Sequence, residues 1–145
     1  MRPKIRQNFV RLPLDEAYNV RDLGGYGGIN KKQTKFHVFL RSDNPSNMTK
    51  DDIQYLKDYG VTASIDLRGK SEAEENPNPL QHEEDINFIN IPFITDGIMD
   101  VRKAAVPGFH VAGFYWDLID SHDLVRQIFD FILAQKGCVH FHCSA

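Results

Sequence analysis

Cys138-Val139-His140-Phe141-His142-Cys143-Ser144-Ala145 is the stretch on which the reading of this chain turns. Its first four residues make a short apolar run fit for a buried β-strand. Just before it, Asp123 to Lys136 places Leu124, Val125, Ile128, Phe129, Ile132 and Leu133 on a wide apolar helical stripe, and Gly137 stops the helix. A helix feeding a buried strand is half of an alternating α/β unit. A cysteine where that strand stops and the chain is about to turn suits an activated thiolate nucleophile.

The same alternation runs upstream. Residues 8–42 are rich in strand and turn signals. Gly24-Gly25-Tyr26-Gly27-Gly28 reads as a tight connection and Lys35 to Leu40 as a strand. Thr49 and Asp52 form a helix start, Ile53, Leu56 and Tyr59 trace one helical face, and Gly60 fits the C-terminal cap. Val61 to Leu67 reads as a buried strand ending in Asp66-Leu67-Arg68. Ser71 to Glu75 makes a helical turn that Pro77 and Pro79 break. Ile86 to Ile91 is another strand, closed by Pro92. A long loop from Thr95 to Gly108 follows, then a helical stretch from about Val111 to Ile119. The order predicts one α/β domain over residues 1–145, with a mostly parallel sheet flanked by helices. Ligands in such sheets sit beyond the carboxyl ends of the strands. That places Asp66-Leu67-Arg68, the loop after Ile91, and Cys143 at one edge.

Bulk properties narrow the function. The 145 residues suffice for one core, burying roughly 68–70% of the unfolded surface. A formal charge of −3 and a pI near 6.0 argue against a nucleic-acid binder. Basic residues are dispersed, so no polybasic membrane patch forms, and no run approaches a membrane span. Met1 to Asn8 lacks the apolar core of a signal peptide. A cytoplasmic protein with reduced cysteines is expected. Cys138 and Cys143 lie at the two ends of one extended run, too straight to bridge easily. Cys138 reads as a small core residue.

At the shared edge the residue types suit cysteine-dependent phosphoryl transfer. A turn of backbone N–H groups would stabilise a thiolate and bind phosphate alike. His142 could orient the loop, Asp66 or Asp96 could protonate a leaving oxygen, and Arg41 and Arg68 could neutralise phosphate through forked hydrogen bonds. Each feature alone has a plainer reading. Asp66-Leu67-Arg68 by itself is an ion-pair or capping motif at a strand end, and Asp96 beside Gly97 is a turn residue. His140 and His142 share a strand face opposite Cys143, which weakens a metal site. Gly24 to Gly28 has no clear following helix, so it is not a phosphate-binding loop. Phe109, Phe114, Tyr115 and Trp116 read as core or pocket wall.

Taken together, four stretches carry a resemblance. Asn19-Val20-Arg21-Asp22-Leu23-Gly24-Gly25-Tyr26, Leu40-Arg41-Ser42, Ile65-Asp66-Leu67-Arg68 and Phe141-His142-Cys143-Ser144-Ala145 follow in order from about Tyr18 onward. In this the chain resembles the bacterial and fungal tyrosine-phosphatase-like family, related to lipid- and protein-phosphatase virulence enzymes. The resemblance implies a cysteine-based phosphatase fold needing no metal or other cofactor. Cys143 would form a cysteinyl-phosphate that water hydrolyses. Asp66 matches the family's Asp-Leu-Arg motif, whereas Asp96 matches the loop position that supplies the acid in dual-specificity phosphatases; both stay open. Arg41, Arg68, His142, Ser144 and Ala145 would shape the phosphate pocket. Substrates implied are phosphotyrosine, phosphoserine or phosphothreonine in proteins, and in some members phosphoinositides.

The family's signature continues past the position of Ala145 as Gly-Lys-Asp-Arg-Thr-Gly and opens a helix. The expectation is therefore an N-terminal portion of a longer enzyme, with a further segment and covering helices belonging to it. Alone, these 145 residues should turn over little, since each lost electrostatic donor commonly costs ~10²–10³ in rate. A phosphoinositide phosphatase is the rival within the same chemistry. A rhodanese-like sulfurtransferase and a non-catalytic phosphate-binding module are the rivals outside it.

Overall fold

A computed structural model describes residues 10–93, 116 and 119–144. Asp96, Ala145, Phe109, Phe114, Tyr115 and most of the helical stretch expected around Val111 to Ile119 lie outside the described residues.

The first helix forms for the local reasons its sequence gives. In α1 (Lys50–Tyr59) the Thr49 hydroxyl accepts from the Asp52 N–H at 3.1 Å, and the Asp52 carboxylate accepts from the Thr49 N–H at 3.0 Å. Asp52 also accepts from the N–H groups of Asp15 and Glu16, at 2.7 and 3.1 Å, and so ties the preceding loop to the helix start. Burial raises its carboxyl pKa, but these backbone donors outweigh burial and hold it below the usual value. Gly60, at φ 103°, takes the left-handed C-terminal position that other residues avoid.

The strands are β1 (Val10–Arg11), β2 (Arg21–Asp22), β3 (Phe39–Ser42), β4 (Val61–Asp66), β5 (Asn87–Asn90) and β6 (Cys138–His142). They form a six-stranded sheet in the order β1-β2-β3-β6-β4-β5. The pairs β3–β6, β6–β4 and β4–β5 are parallel, while β1 and β2 add an antiparallel edge. The parallel core agrees with the expected architecture. β6 lies between β3 and β4, and its last residue, His142, pairs with Ser42 on one side and Asp66 on the other.

Two apolar clusters sandwich the sheet. Leu40, Leu56, Val61, Leu80 and Cys138 belong to the one that includes α1. Ala63, Ile65 and Val139 belong to the other, which is covered by Leu124, Ile128, Phe131 and Ile132 of α3 (His122–Leu133). A short α2 (Lys70–Glu75) and a 3-10 turn at Pro79–His82 lie between β4 and β5. Among the described residues no helix is long and apolar enough to cross a membrane.

The structure corrects three details. The strand expected from Lys35 starts only at Phe39; Phe36 and His37 form a turn, with His37 left-handed at φ 60°, its N–H drawn to the Asp22 carboxylate at 2.8 Å. The α3 stripe is narrower than the sequence implies: Phe129 and Leu133 flank the packed face, at 58% and 80% exposure, and Phe131 joins it instead. Finally, α3 ends at Leu133 with Ala134 as its cap, so Gly137 is not the stop. Its need is space, since a Cβ there would meet the Thr62 side chain at 2.5 Å.

Candidate active site

Parallel pairing brings the carboxyl ends of β3, β6 and β4 to one edge, and the sequence-predicted residues arrive there from three strands. Alternation along β6 sends His140 and His142 toward the α1 side and Phe141 toward α3. Cys143 follows directly, half-buried. Arg41 of β3 pairs with Phe141, and its guanidinium lies 5.8 Å from the Phe141 ring centroid. From there Arg41 donates from Nη2 to Cys143 Sγ at 2.8 Å, and from Nη1 to the Ser42 carbonyl. A fixed positive charge thus stands against the sulfur. Cys138 contrasts with it: burial, helped by the Asp22 charge, pushes its thiol up to about 12. The two sulfurs are not joined by a disulfide.

Asp66 and Arg68 meet, but as partners of each other. Asp66 Oδ1 accepts from the Arg68 backbone N–H at 3.0 Å and from Nε at 2.9 Å, and Oδ2 accepts from Nη2 at 2.7 Å. Both residues are 1% exposed. Arg68 Nη1 donates to Asn44 Oδ1 at 3.0 Å. The Asn90 amide donates to the carbonyls of Asp66 and Arg68, each at 3.0 Å, and clamps this turn to the end of β5. The Asp-Leu-Arg stretch is therefore the buried ion-pair motif of its plainer reading, set at the edge where the chemistry is expected.

His142 is buried, with Nε2 3.0 Å from the Asn78 amide nitrogen and 3.6 Å from Asp66 Oδ2, and Nδ1 3.3 Å from the Cys143 carbonyl. Burial lowers its pKa to about 4; the Asp66 charge works against that, and Arg68 and Arg41 work with it. The ring is neutral at physiological pH. His140, stacked on it at a 5.5 Å centroid separation, is pushed well down by burial as well. Ser144 donates from Oγ to Glu72 Oε1 at 2.6 Å, which joins the turn after Cys143 to α2.

Glu72, Asn78 and Asn44 are the residues that sequence reasoning missed. Asn78 stands in Asn76-Pro77-Asn78-Pro79, which reads only as a helix breaker. An Asn just before a turn is also a capping residue, and its Oδ1 does accept from the Leu80 N–H at 2.9 Å. Glu72 and Asn44 give no signal of their own in the sequence.

Asn19 to Tyr26 proves to be a structural clamp next to the site. Asp22, fully buried, accepts from the N–H groups of Gly24 and His37 and from the Tyr59 hydroxyl, at 2.6, 2.8 and 2.8 Å. Gly24 must be glycine, because a Cβ would fall 2.4 Å from the Phe36 ring.

A tyrosine-protein phosphatase of Nostoc commune is 29% identical over 111 residues, covering 74% of this chain and 38% of its own length. A Cupriavidus necator protein named as a tyrosine-protein phosphatase is 25% identical over 143 residues, covering 92% of this chain and 51% of its own. The chain thus spans about half or less of the length of these relatives. The family model described as "Tyrosine phosphatase family" matches residues 12–145, from the strand edge through the cysteine turn. On that match, and with a six-stranded, mostly parallel sheet carrying Cys143 at its edge, the chain belongs to the tyrosine phosphatase family.

Proposed function

We propose that the full-length protein hydrolyses phosphotyrosine in proteins through a cysteinyl-phosphate intermediate on Cys143. The observation that carries this reading is the 2.8 Å contact between Arg41 Nη2 and Cys143 Sγ. It supports the reading by setting the candidate sulfur beside a cation able to take phosphate charge. In the first step Sγ attacks phosphorus, the bond to the tyrosine oxygen breaks, and an acid protonates the departing phenolate. In the second step water attacks the thiophosphate, and inorganic phosphate leaves with the thiolate restored.

The acid is Asp96 rather than Asp66. Both oxygens of Asp66 already accept hydrogen bonds from Arg68, which leaves neither turned toward a leaving group. Asp96 follows β5 in the sequence and is the remaining candidate. Ser144 supplies loop backbone and His142 holds the Cys143 carbonyl, while Arg68 is committed to Asp66 and Asn44. The reduced state this requires fits a cytoplasmic setting.

The test is phosphate release by the full-length protein from phosphotyrosine peptide, phosphoserine peptide and phosphoinositide, beside Cys143→Ser. Loss of phosphotyrosine turnover, by on the order of 10³-fold or more, is expected. An unchanged rate in Cys143→Ser sinks the nucleophile assignment, and faster turnover of phosphoserine peptide or phosphoinositide replaces the substrate class. Asp96→Asn should lose most on poor leaving groups while Asp66→Asn should not.

A further inference from the structure

On the α1 side of the sheet one run of hydrogen bonds crosses under β4, β6 and β3. The limited donors and acceptors of its members fix the direction of every link. It starts at Asn78, which is 2% exposed. The Leu80 N–H occupies its Oδ1 at 2.9 Å, so its amide nitrogen faces the sheet. That nitrogen can only donate. It gives one proton to His142 Nε2 at 3.0 Å and one to Ser64 Oγ at 3.3 Å. His142 Nε2 is therefore the bare nitrogen, and the ring proton sits on Nδ1, where it donates to the Cys143 carbonyl at 3.3 Å.

The other branch is equally constrained. Ser64 Oγ donates to His140 Nδ1 at 3.0 Å, and His140 Nε2 donates to Ser42 Oγ at 2.8 Å. Ser42 Oγ then donates to the Asp43 carbonyl at 2.7 Å. Every member has one assignment and none conflict. Asn78 is the source of both branches.

Asp66 pulls the opposite way. Its Oδ2 lies 3.6 Å from His142 Nε2 and would draw the ring proton to that nitrogen. The result would set the bare Nδ1 against the Cys143 carbonyl, lone pair to lone pair. We propose that Asn78 is a positioning residue for Cys143: by donating to His142 Nε2 it keeps the ring proton on Nδ1, where it holds the nucleophile's carbonyl. The kinetic consequence rests on the reading of Cys143 as nucleophile. The tautomer does not.

The test is ¹⁵N NMR of the histidine rings in the full-length protein, with phosphotyrosine turnover measured alongside. In the wild type His142 should show a protonated Nδ1 and a bare Nε2. In Asn78→Ala the proton should move to Nε2, with kcat falling about 3- to 10-fold, the size of one backbone hydrogen bond. A protonated Nε2 in the wild type, or an unmoved proton in Asn78→Ala, overturns the proposal. Should Asn78→Ala fail to fold, Asn78→Asp keeps the shape and the cap while it replaces both donors with acceptors, and Nε2 must then be protonated. An inactive wild type that shows the expected tautomer counts against the proposed function and for this assignment.

Discussion

The two faces of β6 are built in opposite ways. On the α1 face His140 and His142 are fully buried, and each ring nitrogen meets a polar partner, so the polar groups close on one another. On the α3 face the aromatic ring of Phe141 and the sulfur of Cys143 lie under the one guanidinium of Arg41. The first arrangement stiffens the strand and holds backbone. The second leaves a half-buried sulfur next to a charge. The buried polar face of this strand is thus satisfied from within, as buried polar groups must be.

The largest test of that contrast is Arg41→Ala. It should cost about 10²–10³ in turnover, as removal of one charge-stabilising donor does, and leave the thermal midpoint nearly unchanged. A stability loss without a rate loss would make Arg41 a structural residue. Arg68→Met should do the reverse. It strands the Asp66 carboxylate and should destabilise by about 3–5 kcal/mol, a fall of roughly 10 °C in the thermal midpoint.

A pH series probes the histidine face. His142 titrates near 6.5 unfolded and about 4 folded, so the unfolded chain binds more protons between those values. Stability should be full above the unfolded pKa and fall by roughly 3 kcal/mol as pH drops to the folded one, with His140 adding in the same direction. A urea midpoint that stays flat from about pH 7 to about pH 4.5 would contradict buried neutral rings. The smallest effect belongs to Asp52, at the start of α1. Asp52→Asn should cost about 1 kcal/mol at neutral pH. Because the folded pKa of Asp52 lies below its unfolded value, this contribution is present above the ordinary carboxylate range and lost as pH falls through the folded pKa. Guanidinium unfolding at neutral pH and near pH 3 would show the two proteins converging.

The fold was legible wherever short-range rules govern it. Thr49 to Gly60 carries its own start and stop signals, and the apolar runs of β4 and β6 mark strands that are buried on both faces. Cys143 and Arg41 were legible as parts, although their contact across 102 positions was not. Asp66-Leu67-Arg68 was legible in two ways, and its buried ion pair appears only in the geometry. Asn78 and Glu72 were not legible, because their partners are brought to them by the crossover between β4 and β6 and not by any local pattern. His37 and Gly137 were misread because tertiary contacts, to Asp22 and Thr62, overrode local propensity.

The sheet order carries one more consequence, for the path of folding. β3 and β4 are made early in the chain, yet they do not pair with each other; β6 must slide between them. Until it does, two parallel strands stand apart with open inner edges, exposed to wrong partners. The strand that closes this gap is the one that ends beside Cys143. Cys143, Arg41 and His142 therefore come together in the same event that completes the hydrogen-bonded ladder, and a half-zipped chain would hold the three apart.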